Sequence, residues 1–176
     1  MRETSDEQLM QRYAKGDAHA FDQLYTRHRN GLYRYFQRHV NDITTANDLY
    51  QGAWEKIIKA RRSYKPAAPF TAWMYRIAHN HLVDHDRRVK PADNNEIGAL
   101  TEPGNGPEQG LIDGEQSAML RAGITALPLD QRNTLLLKLE SGLKMEEIAR
   151  ITGVSRETVK SRLRYAVDKL KRNLVV

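Results

Sequence analysis

The sequence predicts an all-α protein made of two small helical domains joined by a flexible acidic linker. Three observations lead there. Apolar residues recur at the i, i+3/i+4 spacing of amphipathic helices towards both ends of the chain, and no stretch alternates with the two-residue period of a strand. Charge divides the 176 residues into blocks: 1–90 hold 16 Lys/Arg against 10 Asp/Glu, 91–115 hold 6 acidic residues and no basic one, and 116–176 hold 12 against 6. The middle block also contains Pro91, Gly98, Pro103, Gly104, Gly106, Pro107, Gly110 and Gly114, a composition that helix and strand interiors reject.

The elements follow in order. Thr4 and Glu7 have the spacing of a capping box for a first helix carrying Leu9, Met10 and Tyr13. Gly16-Asp17 breaks and recaps the chain. A second helix then places Phe21, Leu24, Tyr25, His28, Leu32 and Phe36 on one face and ends at Asn41-Asp42. Thr44 or Thr45 caps a third, with Leu49, Tyr50, Ala53, Trp54, Ile57 and Ile58 inward. Residues 61–69 form a basic loop, and a fourth helix starts near Phe70 with Trp73, Met74, Ile77, Ala78 and Leu82. After the linker come four short helices. The first covers about 115–126. The second, about 128–140, opens at Pro128, turns Leu135, Leu136 and Leu139 inward and stops at Gly142.

Composition narrows the function. The net charge of +6 and pI of about 9.6 favour a polyanionic partner. The absence of cysteine excludes disulfides and thiolate metal sites and fits a reducing compartment. No apolar run approaches the ~20 residues of a membrane span, and the polar, acidic N-terminus is unlike a signal peptide. A cytoplasmic protein is expected.

The last two helices form a helix-turn-helix. Ile148 and Ala149 pack the first helix, Gly153 supplies the left-handed turn, Val154 plugs the gap, and Ser155 caps the second helix. Val159, Leu163, Ala166 and Leu170 continue the buried stripe. Residues 156–172 carry seven basic and two acidic side chains. Ser155, Arg156, Glu157, Lys160, Ser161 and Arg164 lie at the N-terminal end, which enters the major groove in this motif. Between residues 59 and 76, Lys59, Arg61, Arg62, Lys65 and Arg76 interleave with Tyr64, Phe70, Trp73 and Tyr75, the mixture of cations and rings that holds single strands.

These segments resemble the extracytoplasmic-function (ECF) group of the sigma-70 family of RNA polymerase sigma factors. Asp17 to Tyr25 is similar to the opening of sigma region 2, Asp48 to Ile57 to its polymerase-binding helix, and Phe70 to Asn80 with Asp84 and Arg87 to its promoter-melting helix. Leu127 to Arg172 resembles region 4, including Thr158-Val159-Lys160-Ser161-Arg162-Leu163.

The resemblance implies region 2 over 1–90 and region 4 over 116–176. It implies that Asp48, Leu49, Gln51, Trp54 and Ile57 dock on the clamp coiled coil of RNA polymerase core. Arg61, Arg62, Tyr64, Lys65, Trp73, Arg76, Asn80, Asp84 and Arg87 would engage the minus-ten element, and the 155–164 set the minus-thirty-five element. It further implies a monomer without enzymatic activity, cofactor or small-molecule substrate, regulated by an anti-sigma factor that is often membrane-bound in this family. Gly52 and Tyr50 depart from the family pattern, which commonly has an acidic residue and a small aliphatic there.

Other readings compete at particular residues. Trp73 and Trp54 have the spacing of core residues as well as of contacts. His81 and His85, at i and i+4, could share a metal, as in a metal-dependent nuclease, but four ligands are not evident and His79 faces elsewhere. Glu146 and Glu147, adjacent on a helix, diverge by ~100° and cannot form a catalytic dyad. The competing DNA-binding class is a conventional helix-turn-helix regulator, which would need a ligand pocket or a dimerisation helix.

Overall fold

The computed structural model describes residues 2–89 and 114–174. Among these are eight α-helices, one 3-10 turn and no strand, as the periodicity requires. The expected linker lies outside the described residues, except that Gly114 and Glu115 already belong to a helix.

Four helices form the N-terminal bundle: α1 (Asp6–Ala14), α2 (Ala18–His39), α3 (Ile43–Lys59) and α4 (Phe70–Val89). Their caps refine the sequence reading. Ser5, not Thr4, caps α1: its Oγ accepts from Gln8 N, and the Gln8 side chain accepts from Ser5 N, each at 3.2 Å. Glu7 is left free to act at a distance, and its Oε1 accepts from Phe70 N at 2.9 Å, capping α4 across the fold. Asp17 caps α2 through the amides of His19 and Ala20. Asp42 rather than a threonine caps α3, accepting from Thr44 N and Thr45 N. The Asp42 carboxylate, two positions before Thr44 and three before Thr45, meets the first free amides of α3 as well as a threonine would. The core holds Leu9, Met10, Leu24, Leu32, Phe36, Leu49, Ala53, Ile57, Met74, Ala78 and Leu82.

The C-terminal domain contains α5 (Gly114–Ala126), α6 (Leu129–Ser141), α7 (Met145–Thr152) and α8 (Arg156–Leu174). Gly142 ends α6 at φ 66° and Gly153 ends α7 at φ 72°, left-handed values that glycine adopts without penalty. Leu135, Leu136 and Leu137 are buried, but Leu139, expected inward, is 56% exposed. The reason is that α6 packs on α2 and α4 as well as on α7 and α8. Its buried arc is therefore turned towards Asn133, Leu136, Leu137 and Glu140.

Candidate nucleic-acid and polymerase interfaces

The helix-turn-helix is assembled as its residue types dictate. The Gly153 amide donates to Ala149 O at 2.9 Å, and Ser155 Oγ accepts from Thr158 N at 3.1 Å to start α8. Val159 and Ala166 are fully buried, with Val154, Leu163 and Leu170 packed beside them. Arg156, Glu157, Lys160 and Arg164 are consequently exposed, and Ser161 is half-buried. The Arg156 guanidinium donates to Glu146 on α7 at 2.9 Å. Both partners are about half exposed, so this pair is weak and a phosphate can displace it. Arg164 lies over the Tyr165 ring at 5.2 Å. Ser155 is engaged as a cap.

The basic loop opens with a 3-10 turn, Arg61–Ser63. Arg61 donates to Ile58 O at 2.8 Å and sits 5.9 Å above the Tyr13 ring, while Arg62 and Lys65 are exposed. Tyr64, Phe70 and Tyr75 are buried. The Tyr64 hydroxyl donates to Ala68 O, and burial with Glu7 and Asp6 nearby pushes its pKa up to about 12. Its ring stands edge-on to Phe70 and Trp73. Tyr64 is thus a support for Trp73 rather than the stacking surface expected for it. Trp73 is half-buried and keeps an exposed part. Beyond it, Arg76, Asn80, Asp84 and Arg87 are all exposed and, spaced four, four and three apart, share one stripe of α4.

On α3 the expected polymerase contacts divide. Asp48 and Gln51 are exposed. Leu49, Trp54 and Ile57 are buried at 3%, 6% and 1% exposure, which corrects the expectation that they face a partner. Trp54 is enclosed by the rings of Phe21, Tyr25 and Tyr50 at 5.0–6.3 Å. The helix period that puts Asp48 and Gln51 outside puts these three inside. A cleft between α3 and α4, lined by Thr45, Asp48, Lys56, His81, Asp84 and His85, lies beside both stripes. Burial and the nearby Lys56 lower the pKa of His81. His79 is buried elsewhere, and among the described residues no three His, Asp or Glu side chains converge as metal ligands.

Three residues absent from the sequence reading join the domains. Glu140, at the end of α6, accepts from Arg34 Nε at 3.1 Å and from Arg38 Nη1 at 2.6 Å, both on α2. Separations of 106 and 102 residues leave no local signal for such a contact.

Comparison with known proteins assigns these surfaces to a family. The model of sigma-70 region 2 matches residues 24–91, and that of sigma-70 region 4 matches 117–170. The chain is 32% identical to the RNA polymerase sigma-H factor of Pseudomonas aeruginosa, over 96% of this chain and 95% of that one. The chain belongs to the sigma-70 family, in its ECF group. It is also 33% identical to the ECF RNA polymerase sigma-E factor of Escherichia coli K12, over 93% of each chain. Two solved structures share the fold at 24% identity. CnrH in complex with the cytosolic domain of CnrY has a TM-score of 0.73 and covers 97% of each chain. The sigma factor RpoE with the anti-sigma factor NepR from Bartonella quintana has a TM-score of 0.71, covering 89% of this chain and 97% of that one.

As a sigma factor the protein directs transcription initiation and is not an enzyme. The region 2 match removes the conventional regulator as an alternative. No helix of the described residues is long and apolar enough to cross a membrane.

Proposed function

We propose that this ECF sigma factor divides promoter reading between its two domains, 1–90 and 116–176, acting as a cytoplasmic monomer. Arg156, Glu157, Lys160, Ser161 and Arg164 read the minus-thirty-five element in the major groove. The Arg76, Asn80, Asp84 and Arg87 stripe, with Trp73, Arg62 and Lys65, engages the minus-ten element as it opens. Asp48 and Gln51 meet the clamp of RNA polymerase core. The observation that carries this reading is the exposed α4 stripe beside the one half-exposed aromatic ring of the 59–76 segment. A base leaving its stack needs both a phosphate-holding cation and a ring face. The likeness in fold to the sigma factor RpoE, solved with the anti-sigma factor NepR, supports regulation by an anti-sigma factor.

The surfaces are tested separately. Asp48→Arg with Gln51→Ala should abolish the complex with core polymerase while far-UV circular dichroism stays unchanged. Trp73→Ala should leave core binding intact and slow promoter opening, followed by permanganate reactivity of unpaired thymines. If Asp48→Arg with Gln51→Ala binds core normally, the α3 assignment is wrong; if Trp73→Ala opens promoters at the native rate, the α4 assignment is wrong.

A further inference from the structure

The cleft between α3 and α4 holds side chains that neither reading surface uses. Its volume is about 300 Å³, at the lower end of the range for small-ligand sites. Lys56 lines it from α3, and His81, His85 and Arg88 line it from α4. Positions 81, 85 and 88 fall four and three apart, so one helix face presents all three. None of these residues belongs to the promoter or polymerase sets above.

His81 forms the inner wall. Its ring abuts Gly52, where a Cβ would stand 2.5 Å from Nε2, and it meets the Phe36 ring of α2 edge-on at 6.4 Å. The ring is half-buried. Burial lowers its pKa first and Lys56 second, with His85 and Arg88 adding to the effect; Asp84 opposes them. This end of the cleft is therefore electropositive, and an anion placed there favours the charged imidazole.

Two carboxylates share the cleft, those of Asp48 and Asp84, and Thr45 adds a hydroxyl. Both carboxylates are exposed. Among the described residues neither is ion-paired with Lys56 or Arg88. The fixed charges of these four side chains cancel, so the two histidines decide the sign. With both rings neutral the cleft is balanced. With both protonated it is a cationic seat whose nitrogens all donate. A phosphoryl group fits that seat, because its oxygens accept from ammonium, guanidinium and imidazolium donors in several directions at once.

We propose that the α3–α4 cleft is a phosphoryl-binding site in which Lys56, Arg88 and the rings of His81 and His85 surround the anion. The same chemistry is offered by a backbone phosphate of a nucleic-acid strand passing Asp84 at the rim, and by a free phosphate or nucleotide.

The histidine ring resonances of the full chain test the site. The chain has 6 histidines, and His81→Gln and His85→Gln assign the two signals. Inorganic phosphate is added at about pH 6.5, the ordinary histidine value, and at constant ionic strength. Both Hε1 signals should move towards the protonated position along a saturating curve, while those of the other histidines stay in place. Lys56→Ala with Arg88→Ala should weaken binding by about tenfold or more. Arg121→Ala, on α5 and outside the cleft, should not. All three replaced side chains are exposed, and circular dichroism checks that the fold is kept.

The source is identified with a short single-stranded DNA, its uncharged methylphosphonate counterpart and a nucleoside diphosphate. Shifts of both rings with the charged strand but not the uncharged one mark a backbone phosphate. Shifts with the diphosphate and not the strand mark a free one, and shifts with both mark a site open to either. No shift of these rings with any probe, equal movement of all the histidines, equal shifts with the uncharged strand, or undiminished binding by the Lys56→Ala, Arg88→Ala chain overturns the site.

Discussion

His81 rests its ring on Gly52: a Cβ at position 52 would stand 2.5 Å from His81 Nε2 and 2.9 Å from Cε1. The helix-breaking residue in α3 is thus the seat of a half-buried ring on α4. Glycine inside a helix ordinarily costs about 1 kcal/mol relative to alanine. Here a methyl group would meet the far end of the His81 side chain and push its ring into the neighbouring cleft, which offsets the gain in helix propensity. Gly52→Ala should therefore stabilise the protein by less than the ~1 kcal/mol that propensity alone gives, measured by urea denaturation. Placing Gly52→Ala in a His81→Ala background should restore the full gain. A double-mutant cycle with no coupling would remove the seat as the explanation.

The long-range cap makes a second prediction. Glu7→Ala removes the acceptor for Phe70 N and should cost about 1 kcal/mol, read from the same denaturation curves. Thr4→Ala should cost almost nothing, since Ser5 supplies the local cap.

The buried histidines make stability depend on pH. Burial, Arg132 and His79 hold the pKa of His39 well below its ordinary value, and burial lowers that of His79. The groups around them are Tyr35 on α2, Arg132 on α6 and Asp86 on α4, the last acting on Tyr35 and Arg132. A histidine with a lowered folded pKa takes up its proton more readily when unfolded, so stability falls as pH drops below the unfolded value of about 6.5. Unfolding free energy should be level from pH 8 to 7 and decline from 6.5 towards 5. His39→Leu should flatten that decline; an unchanged slope would place its source elsewhere.

Recognition by α8 is separable into base and phosphate contacts. Lys160→Ala or Arg164→Ala should weaken minus-thirty-five binding by about 1–3 kcal/mol if the side chain reads a base, with specificity relaxed at one position. A loss equal on every sequence, with a smaller salt slope, would mark a phosphate contact instead. Electrophoretic titration of the polymerase holoenzyme on single-base promoter variants distinguishes them.

Much of this was legible because it is local. Gly142 and Gly153 end helices where the turns demand positive φ, and the stripe from Val159 to Leu170 faces inward as its period requires. The outward set of α8 follows from the same period. What was not legible depends on partners far along the chain. Glu7 reaches Phe70, Glu140 reaches Arg34 and Arg38, and Leu139 is displaced from the core because α6 serves two domains. Leu49, Trp54 and Ile57 were assigned a partner that their own helix period denies them, and Tyr64 was read as a platform although its ring fills the space beneath Trp73.

The most direct test of the central claim is reconstitution. The purified chain is added to sigma-free RNA polymerase core on a library of promoter fragments, and run-off transcripts are sequenced. The account predicts a binary complex with core and transcripts starting downstream of a shared pair of elements, lost when Arg76 and Asn80 are both replaced by alanine. No complex with core, or transcripts with no common upstream sequence, would contradict it.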